Sequence, residues 1–287
     1  RSSDLFVSPT LAARKLASLD HLTDGRLAVH IISGGSDSEQ RRDGDFLNKA
    51  ERYARTDEFL HVLNKSLTSA EAWDHQGEFY QAEQAFSAIK PLQSKLPVYF
   101  GGSSPEAIEV AARHADVFAL WGEPLQGAAE TVQTVRAAAA KRGRDIKFNI
   151  SFRPIIGKTE KEAWERAEHI YQTAQKQLAE SGYTFGLPKP QSVGAQRLLA
   201  AANAGDRHDK VLWTGVAKLV SGGYNSTALV GTADQVSDAL LDYYNLGIDS
   251  VLIRGFDPLN DAIEYGRELL PLTRDKVAAL TRVKRSA

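Results

Sequence analysis

The chain has 287 residues, of which 43% are hydrophobic, enough to bury one large α/β core in a single domain. Its 36 acidic and 35 basic side chains nearly cancel, which excludes an overall field that would draw it to nucleic acid or an anionic membrane and leaves a small molecule as the expected partner. Zero cysteines exclude disulfides, thiolate metal sites and a cysteine nucleophile. With no apolar run of membrane-spanning length and no signal pattern, a cytoplasmic location is the expectation. Methionine is absent too, initiator included, so a start upstream of Arg1 is expected.

In chain order, Ser8-Pro9 reads as an N-cap followed by proline at the first helical position. Leu11, Ala12, Leu16 and Leu19 continue at helical spacing to Asp20. Asp24-Gly25 turns the chain into Leu27 to Ile32, a β-prone run of the kind buried on both faces of a parallel sheet, ending at Ser33-Gly34-Gly35. Residues 36 to 50 read as a loop, Glu51 to Leu67 as a helix, and Trp73 to Phe86 as a hairpin or irregular excursion. Strand-then-helix alternation follows. Val98 to Phe100 leads into a helix from Pro105 to His114, Val117 to Leu120 into one from Leu125 to Arg142, and Ile146 to Ile156 into one opened by Thr159 with Glu162. Residues 181 to 210, rich in Gly, Pro, Ala and Asn, read as a mobile lid. A helix from Thr232 to Asn245, a strand from Ser250 to Arg254 and a helix from Leu259 to Leu270 close the series. Such units imply parallel strands with right-handed crossovers, either a (β/α)8 barrel or an open doubly wound sheet, and periodicity does not choose between them.

In both architectures function collects at the C-terminal ends of strands. Gly101-Gly102-Ser103-Ser104 before Pro105 suits a phosphate, because glycines admit close backbone approach and hydroxyls and a helix N-terminus favour an anion; a plain capped turn explains the same residues. Arg153 and Arg254 each follow apolar β-prone residues. They either hold a tetrahedral anion together or each pair with a buried carboxylate such as Glu123 or Asp257. Trp121 reads either as a stacking surface or as core, and His30 as a hydrogen-bonded core residue. The spacing of His61, His75, His114, His169 and His208 predicts no metal site.

The run Ser8 to Arg26, ending Asp20-His21-Leu22-Thr23-Asp24-Gly25-Arg26, resembles the helix-to-strand signature of the luciferase-like flavin monooxygenases. Further motifs resemble the alkanesulfonate monooxygenases of that superfamily in the same order. They are Ile32 to Gly35, Asp43 to Leu47, Glu51-Arg52-Tyr53 with Glu58-Phe59, Tyr99 to Ser104, Trp121 to Pro124, Gly222-Gly223-Tyr224 with Thr227 to Gly231, and Leu246 to Asp249. The resemblance implies a (β/α)8 TIM barrel whose first three strands are missing from this chain, with residues 1 to 287 forming strands 4 to 8. It also implies a two-component oxidative cleavage of an organosulfonate, alkanesulfonate or sulfosugar, to an aldehyde and sulfite. Reduced FMN would come from a separate NAD(P)H-dependent reductase, O2 would be the co-substrate, and the assembly would be a homo-dimer or homo-tetramer. By position, Ser33, Tyr53, Gly102, Ser103 and Ser104 would bind FMN, Arg207 would be the lid arginine, and Trp121, Arg153 and Arg254 would face the substrate, the three arginines serving catalysis.

Two departures stand out. Ser151-Phe152-Arg153 replaces an Arg-x-His pattern, and Arg254-Gly255-Phe256-Asp257-Pro258 replaces Ser-Gly-Tyr-Pro-His, which moves cationic charge within the pocket and implies a different sulfonate, sulfoquinovose among the options. A deazaflavin (coenzyme F420) oxidoreductase of the same fold and a non-catalytic flavin-binding barrel are the alternative readings.

Overall fold

The computed structural model describes residues 7–182 and 190–286. The chain divides into two compact units, one of residues 1–118 and 135–147, the other of residues 119–134 and 148–287.

In the first unit, α1 (Pro9–Leu22) begins where the Ser8 hydroxyl accepts the Leu11 N–H at 3.3 Å, and its apolar side packs on α3 (Lys49–Thr68). Asn48 and Glu51 start α3 reciprocally. The Asn48 N–H donates to Glu51 Oε2 at 2.7 Å and the Glu51 N–H to Asn48 Oδ1 at 3.1 Å. The stretch expected as a loop before it contains a short helix, α2 (Asp37–Arg42), capped by Ser36. Salt bridges from Arg52 to Asp37 (2.8 Å) and Arg55 to Asp45 (2.6 Å) hold this segment to α3. Strand β1 (Val29–Ile31) pairs in parallel with β4 (Val98–Gly101), Ile31 facing Phe100. Val29 and Ile31 are buried while His30 between them is exposed beside Tyr99, ring centroids 6.3 Å apart. Pleat alternation thus corrects two expectations, a strand buried on both faces and a core histidine. The excursion at 73–86 is an antiparallel hairpin of β2 (Trp73–Gln76) and β3 (Gln81–Ala85). Helix α4 (Pro105–His114) follows β4 and packs on α3.

Asp57 on α3 joins that packing electrostatically, accepting from Arg113 at 2.8 Å and lying 2.9 Å from His114 Nε2. The His114 hydrogen bond, opposed by partial desolvation and aided by both cationic neighbours, holds its carboxyl below the ordinary value of 3.8. A depressed carboxylate stabilises the fold above its unfolded pKa, and that contribution is lost as pH falls through the folded value. Asp57→Asn is therefore expected to reduce the urea midpoint at pH 7 and to converge with the parent in acid below about pH 4. A midpoint difference constant over pH 3 to 7 would show that Asp57 carries no such linkage.

Strand β5 (Val117–Trp121) carries the chain into the second unit and α5 (Leu125–Ala140) returns it to the first. In the second unit the long β6 (Lys147–Ile156) is the spine. Its first half pairs in parallel with β10 (Ser250–Ile253), Phe152 facing Ile253, and its second half with β9 (Ala228–Gly231), Arg153 facing Ala228. The N–H of Gly122, just past β5, donates to Ser151 O at 2.9 Å. A short antiparallel ladder of β7 (Arg207–His208) and β8 (Leu212–Trp213) extends from β9, with the five-residue helix α8 (Gly215–Leu219) between β8 and β9. Thr159 caps α6 (Glu160–Ser181), and a Thr232–Gln235 capping box opens α9 (Ala233–Asn245). The final helix is interrupted, as α10 (Pro258–Glu264), a π turn (Tyr265–Leu269) and α11 (Leu270–Ser286). Tyr265 donates from its hydroxyl to Pro154 O at 2.5 Å, tying this segment to β6.

Part of the stretch expected as a lid, residues 183–189, lies outside the described residues. Beyond it, the structure has a helix, α7 (Val193–Ala204), where an aperiodic insertion was expected. Ser192 caps it, and Ala195, Leu198 and Ala202 are buried at helical spacing, a stripe obscured in the sequence by the abundance of alanine. Among the described residues no helix is long and apolar enough to cross a membrane.

Candidate functional site

The five residues expected to bind cofactor fall in the first unit and converge through α3. Ser33 is buried, and Thr56 Oγ1 lies 2.9 Å from its hydroxyl and 2.7 Å from Arg52 O. One turn earlier on α3 is Tyr53, whose ring meets Phe100 edge-on at 6.5 Å. Burial raises the Tyr53 phenol above its ordinary value against a hydrogen bond with the Ser104 side chain. Ser104 is buried and caps α4, accepting from Ala107 N–H at 3.4 Å, while Ser103 is half-buried.

Gly102 shapes this turn. Its φ of +145° is a conformation that L side chains rarely adopt, and a Cβ there would sit 2.7 Å from the Ala107 methyl and 3.1 Å from the Tyr53 hydroxyl. The backbone at Gly102 thus stays open beside Tyr53, with hydroxyls and a ten-residue helix N-terminus next to it, a donor set that fits a phosphate. Gly102→Ala is expected to cost about 1–3 kcal/mol of stability through strain and overpacking and to weaken FMN binding. Thermal melting with and without FMN checks this, and unchanged FMN affinity would remove Gly102 from the cradle.

The substrate-side residues fall in the second unit. Arg153 at β6 is half-buried. Its Nε donates to Asn225 O at 3.2 Å and its Nη1 to Gly255 O at 2.9 Å, and its guanidinium lies over Phe256, 5.1 Å from the ring centroid. Arg254, beyond β10, is exposed and donates from Nη2 to Tyr224 O at 3.4 Å. Burial, then repulsion from Arg254, pushes the Arg153 guanidinium below its ordinary value, so the two cations sense one another. Among the described residues neither makes an ion pair. The carboxylates offered as partners are engaged elsewhere. Glu123 takes Arg197 Nε at 2.9 Å and Nη2 at 2.8 Å, and Asp257 caps α10 and bonds Asn260. Pairing with Glu123 or Asp257 therefore does not explain the arginines.

Trp121 ends β5 and is 37% exposed, which removes the core reading. Arg207 lies over the Trp164 ring, 3.4 Å from its centroid, and Trp164 meets Trp213 edge-on at 6.3 Å. The same apolar cluster takes in Phe256, the ring under Arg153. The sequence reading missed Trp164, which sits in a helix whose charged residues suggest a surface element. It also missed Asn225, which lies between two quoted motifs. Among the described residues no group of three or more His, Cys, Asp or Glu is placed to hold a metal ion.

The family model described as luciferase-like monooxygenase matches residues 4–250. The chain belongs to that family. Membership places it among monooxygenases, and the mixed α/β architecture is that of the family's TIM barrel. Among solved structures, the chain is similar to a riboflavin lyase with modified FMN and riboflavin, with TM-score 0.72, 21% identity, and coverage of 96% of this chain and 69% of that one. It is similar to an EDTA monooxygenase from Chelativorans sp. BNC1, with TM-score 0.70, 21% identity and coverage of 94% and 72%. It also resembles an F420-dependent secondary alcohol dehydrogenase in complex with a cofactor–acetone adduct, with TM-score 0.64, 18% identity and coverage of 92% and 75%.

Proposed function

We propose that the chain is the oxygenase component of a two-component system that oxidises an organosulfonate with reduced FMN and O2. The balanced reaction converts R–CH2–SO3⁻, FMNH2 and O2 to R–CHO, hydrogen sulfite, FMN and water. The observation that carries the substrate side is the Arg153–Arg254 pair, two guanidiniums that, among the described residues, are tethered to backbone carbonyls and one ring and to no carboxylate. Backbone carbonyls orient a guanidinium without cancelling its charge, so the pair keeps an attraction for an anion that a carboxylate partner would remove.

On the cofactor side, Ser103 and the backbone at Gly102 would hold the FMN phosphate, with Ser104 setting the turn and Tyr53 packing against it. Ser33 would line the flavin. Reduced FMN, when bound, supplies the electron pair that activates O2. Arg153 and Arg254 would hold the sulfonate oxygens, Trp121 would cover the organic part, and Arg207, held over Trp164, would be the arginine of the 181–210 segment that exchanges between ring and substrate. An NAD(P)H-dependent reductase would deliver the reduced flavin, and a homo-dimer or homo-tetramer would be the working form.

Incubation with a flavin reductase, NADH, FMN and a panel of linear and sugar sulfonates is expected to release sulfite in air and none under argon. Absence of sulfite, aldehyde or hydroxylated product across the panel would reject the reading. Similarity to an F420-dependent enzyme supports a second reading, in which a reduced deazaflavin donates hydride. Anaerobic titration decides between them, since tighter binding of reduced deazaflavin than of reduced FMN would favour the second.

A further inference from the structure

We infer that Asn225 is the positioning residue that sets the anion site, by fixing the two consecutive carbonyls on which Arg153 and Arg254 rest. The inference deepens the sulfonate reading above and depends on it. Asn225 is 6% exposed, and its side-chain amide is used at both ends. Oδ1 accepts the Gly122 N–H at 3.3 Å, and Nδ2 donates to the Ser151 hydroxyl. One side chain thereby ties the exit of β5 to β6. The tie is reinforced next door, where Thr227 Oγ1 donates to Gly122 O at 2.7 Å and the Arg153 N–H donates to Thr227 O at 3.1 Å.

The backbone gives this a chemical purpose. Ser221, Gly222, Tyr224 and Asn225 all have positive φ, at 51°, 74°, 60° and 50°. Four left-handed residues among five, three of them not glycine, cost conformational energy and persist only where the surroundings over-determine them. Asparagine is among the few L residues that enter this region readily. The outcome is that Tyr224 O accepts from Arg254 and Asn225 O accepts from Arg153. Guanidiniums that repel one another therefore rest on consecutive peptide carbonyls, and the side chain of Asn225 anchors the peptide that carries one of them.

The test uses the full chain with 1-octanesulfonate as the probe. Asn225→Gly keeps access to positive φ and deletes both side-chain hydrogen bonds. It is expected to raise Kd and KM for octanesulfonate about 5- to 30-fold, leaving kcat within about threefold and FMN binding unchanged. Ser151→Ala removes one of the two partners and is expected to give a smaller shift of the same kind. Combined with Asn225→Gly it adds nothing further, because the bond is already lost. A merely structural role would lower the melting temperature without separating KM from kcat, and additive effects of the two substitutions would show that Asn225 does not act through Ser151. Either result overturns the inference. If Arg153→Met and Arg254→Met weaken octanesulfonate binding while Asn225→Gly does not, the anion site stands and the positioning role falls. If the arginine variants also bind normally, the sulfonate reading fails first.

Discussion

Replacing Arg153 or Arg254 with methionine is expected to weaken sulfonate binding roughly ten- to hundredfold while the protein stays folded. Methionine keeps much of the volume and removes charge-assisted hydrogen bonds worth about 1.5–3 kcal/mol, which is the stated range in affinity. Neither guanidinium has a carboxylate partner among the described residues, so neither substitution strands a buried charge. The cost to the fold is limited to Arg153's bonds to two carbonyls and its contact with Phe256, and to Arg254's single long bond. FMN affinity should be unchanged, because the phosphate cradle proposed above draws on Gly102, Ser103 and Ser104 and on neither arginine. Calorimetry with octanesulfonate and thermal melting on both variants check this together. Unaltered affinity in two stably folded variants would reject the clamp.

The same substitution at Arg197 is expected to do the opposite. Arg197 on α7 donates to Glu123 and, at 3.1 Å, to Gly127 O, while Thr131 donates to the other Glu123 oxygen at 3.3 Å. Glu123 is buried, and desolvation raises its pKa above the ordinary 4.5 even though Arg197 pulls it down. Arg197→Met removes the opposing pull and leaves a buried, unpaired carboxylate, a change that costs about 3–5 kcal/mol. A folded-state pKa raised above the unfolded one gives stability below the unfolded pKa that is lost as pH rises through the folded pKa. The variant should therefore be least stable at neutral pH and recover as pH falls through the raised pKa of Glu123, because the buried carboxyl is then neutral. Urea melts of Arg197→Met and of the double variant with Glu123→Gln are the measurement, with the double variant expected to regain much of the loss. Equal instability of both at every pH would show that packing of α7, rather than the charge, is what Arg197 supplies.

Much of the fold was legible because its signals are local. Ser8-Pro9, Thr159 with Glu162 and Ser104-Pro105 mark helix starts through bonds that a side chain makes within one turn; all three hydroxyls cap, but the capping box expected at Thr159 is not closed, because the Glu162 carboxylate accepts from the Lys158 N–H instead of that of Thr159. The β4 run is rich in Val, Tyr and Phe, and β6 alternates Phe148, Ile150 and Phe152 with polar residues; both are strands. What the sequence concealed depends on partners distant in the chain. The helix at 193–204 hides behind alanines that give no polar contrast, and β9 was quoted as a motif without being read as a strand. For the candidate site, the strand-end rule nominates Arg153, Arg254 and Trp121; Trp121 ends β5 and Arg254 follows β10, whereas Arg153 lies inside β6, and no local pattern shows that Glu123 is already taken by a residue 74 positions away or that Asn225 reaches Gly122 and Ser151. Positive φ at Tyr224 and Asn225 is likewise a tertiary outcome, legible only as a Gly-Gly-Tyr-Asn turn.

The most direct test of the account is a comparison of two ligands of nearly equal shape and different charge, 1-octanesulfonate and octyl methyl sulfone, titrated into the full chain at two salt concentrations. Two uncancelled guanidiniums predict that the sulfonate binds at least about tenfold more tightly than the neutral sulfone. They also predict that this advantage shrinks as salt screens the exposed Arg254. Equal affinity for both ligands, independent of salt, would contradict an anion site at Arg153 and Arg254 and with it the assignment of a sulfonate substrate.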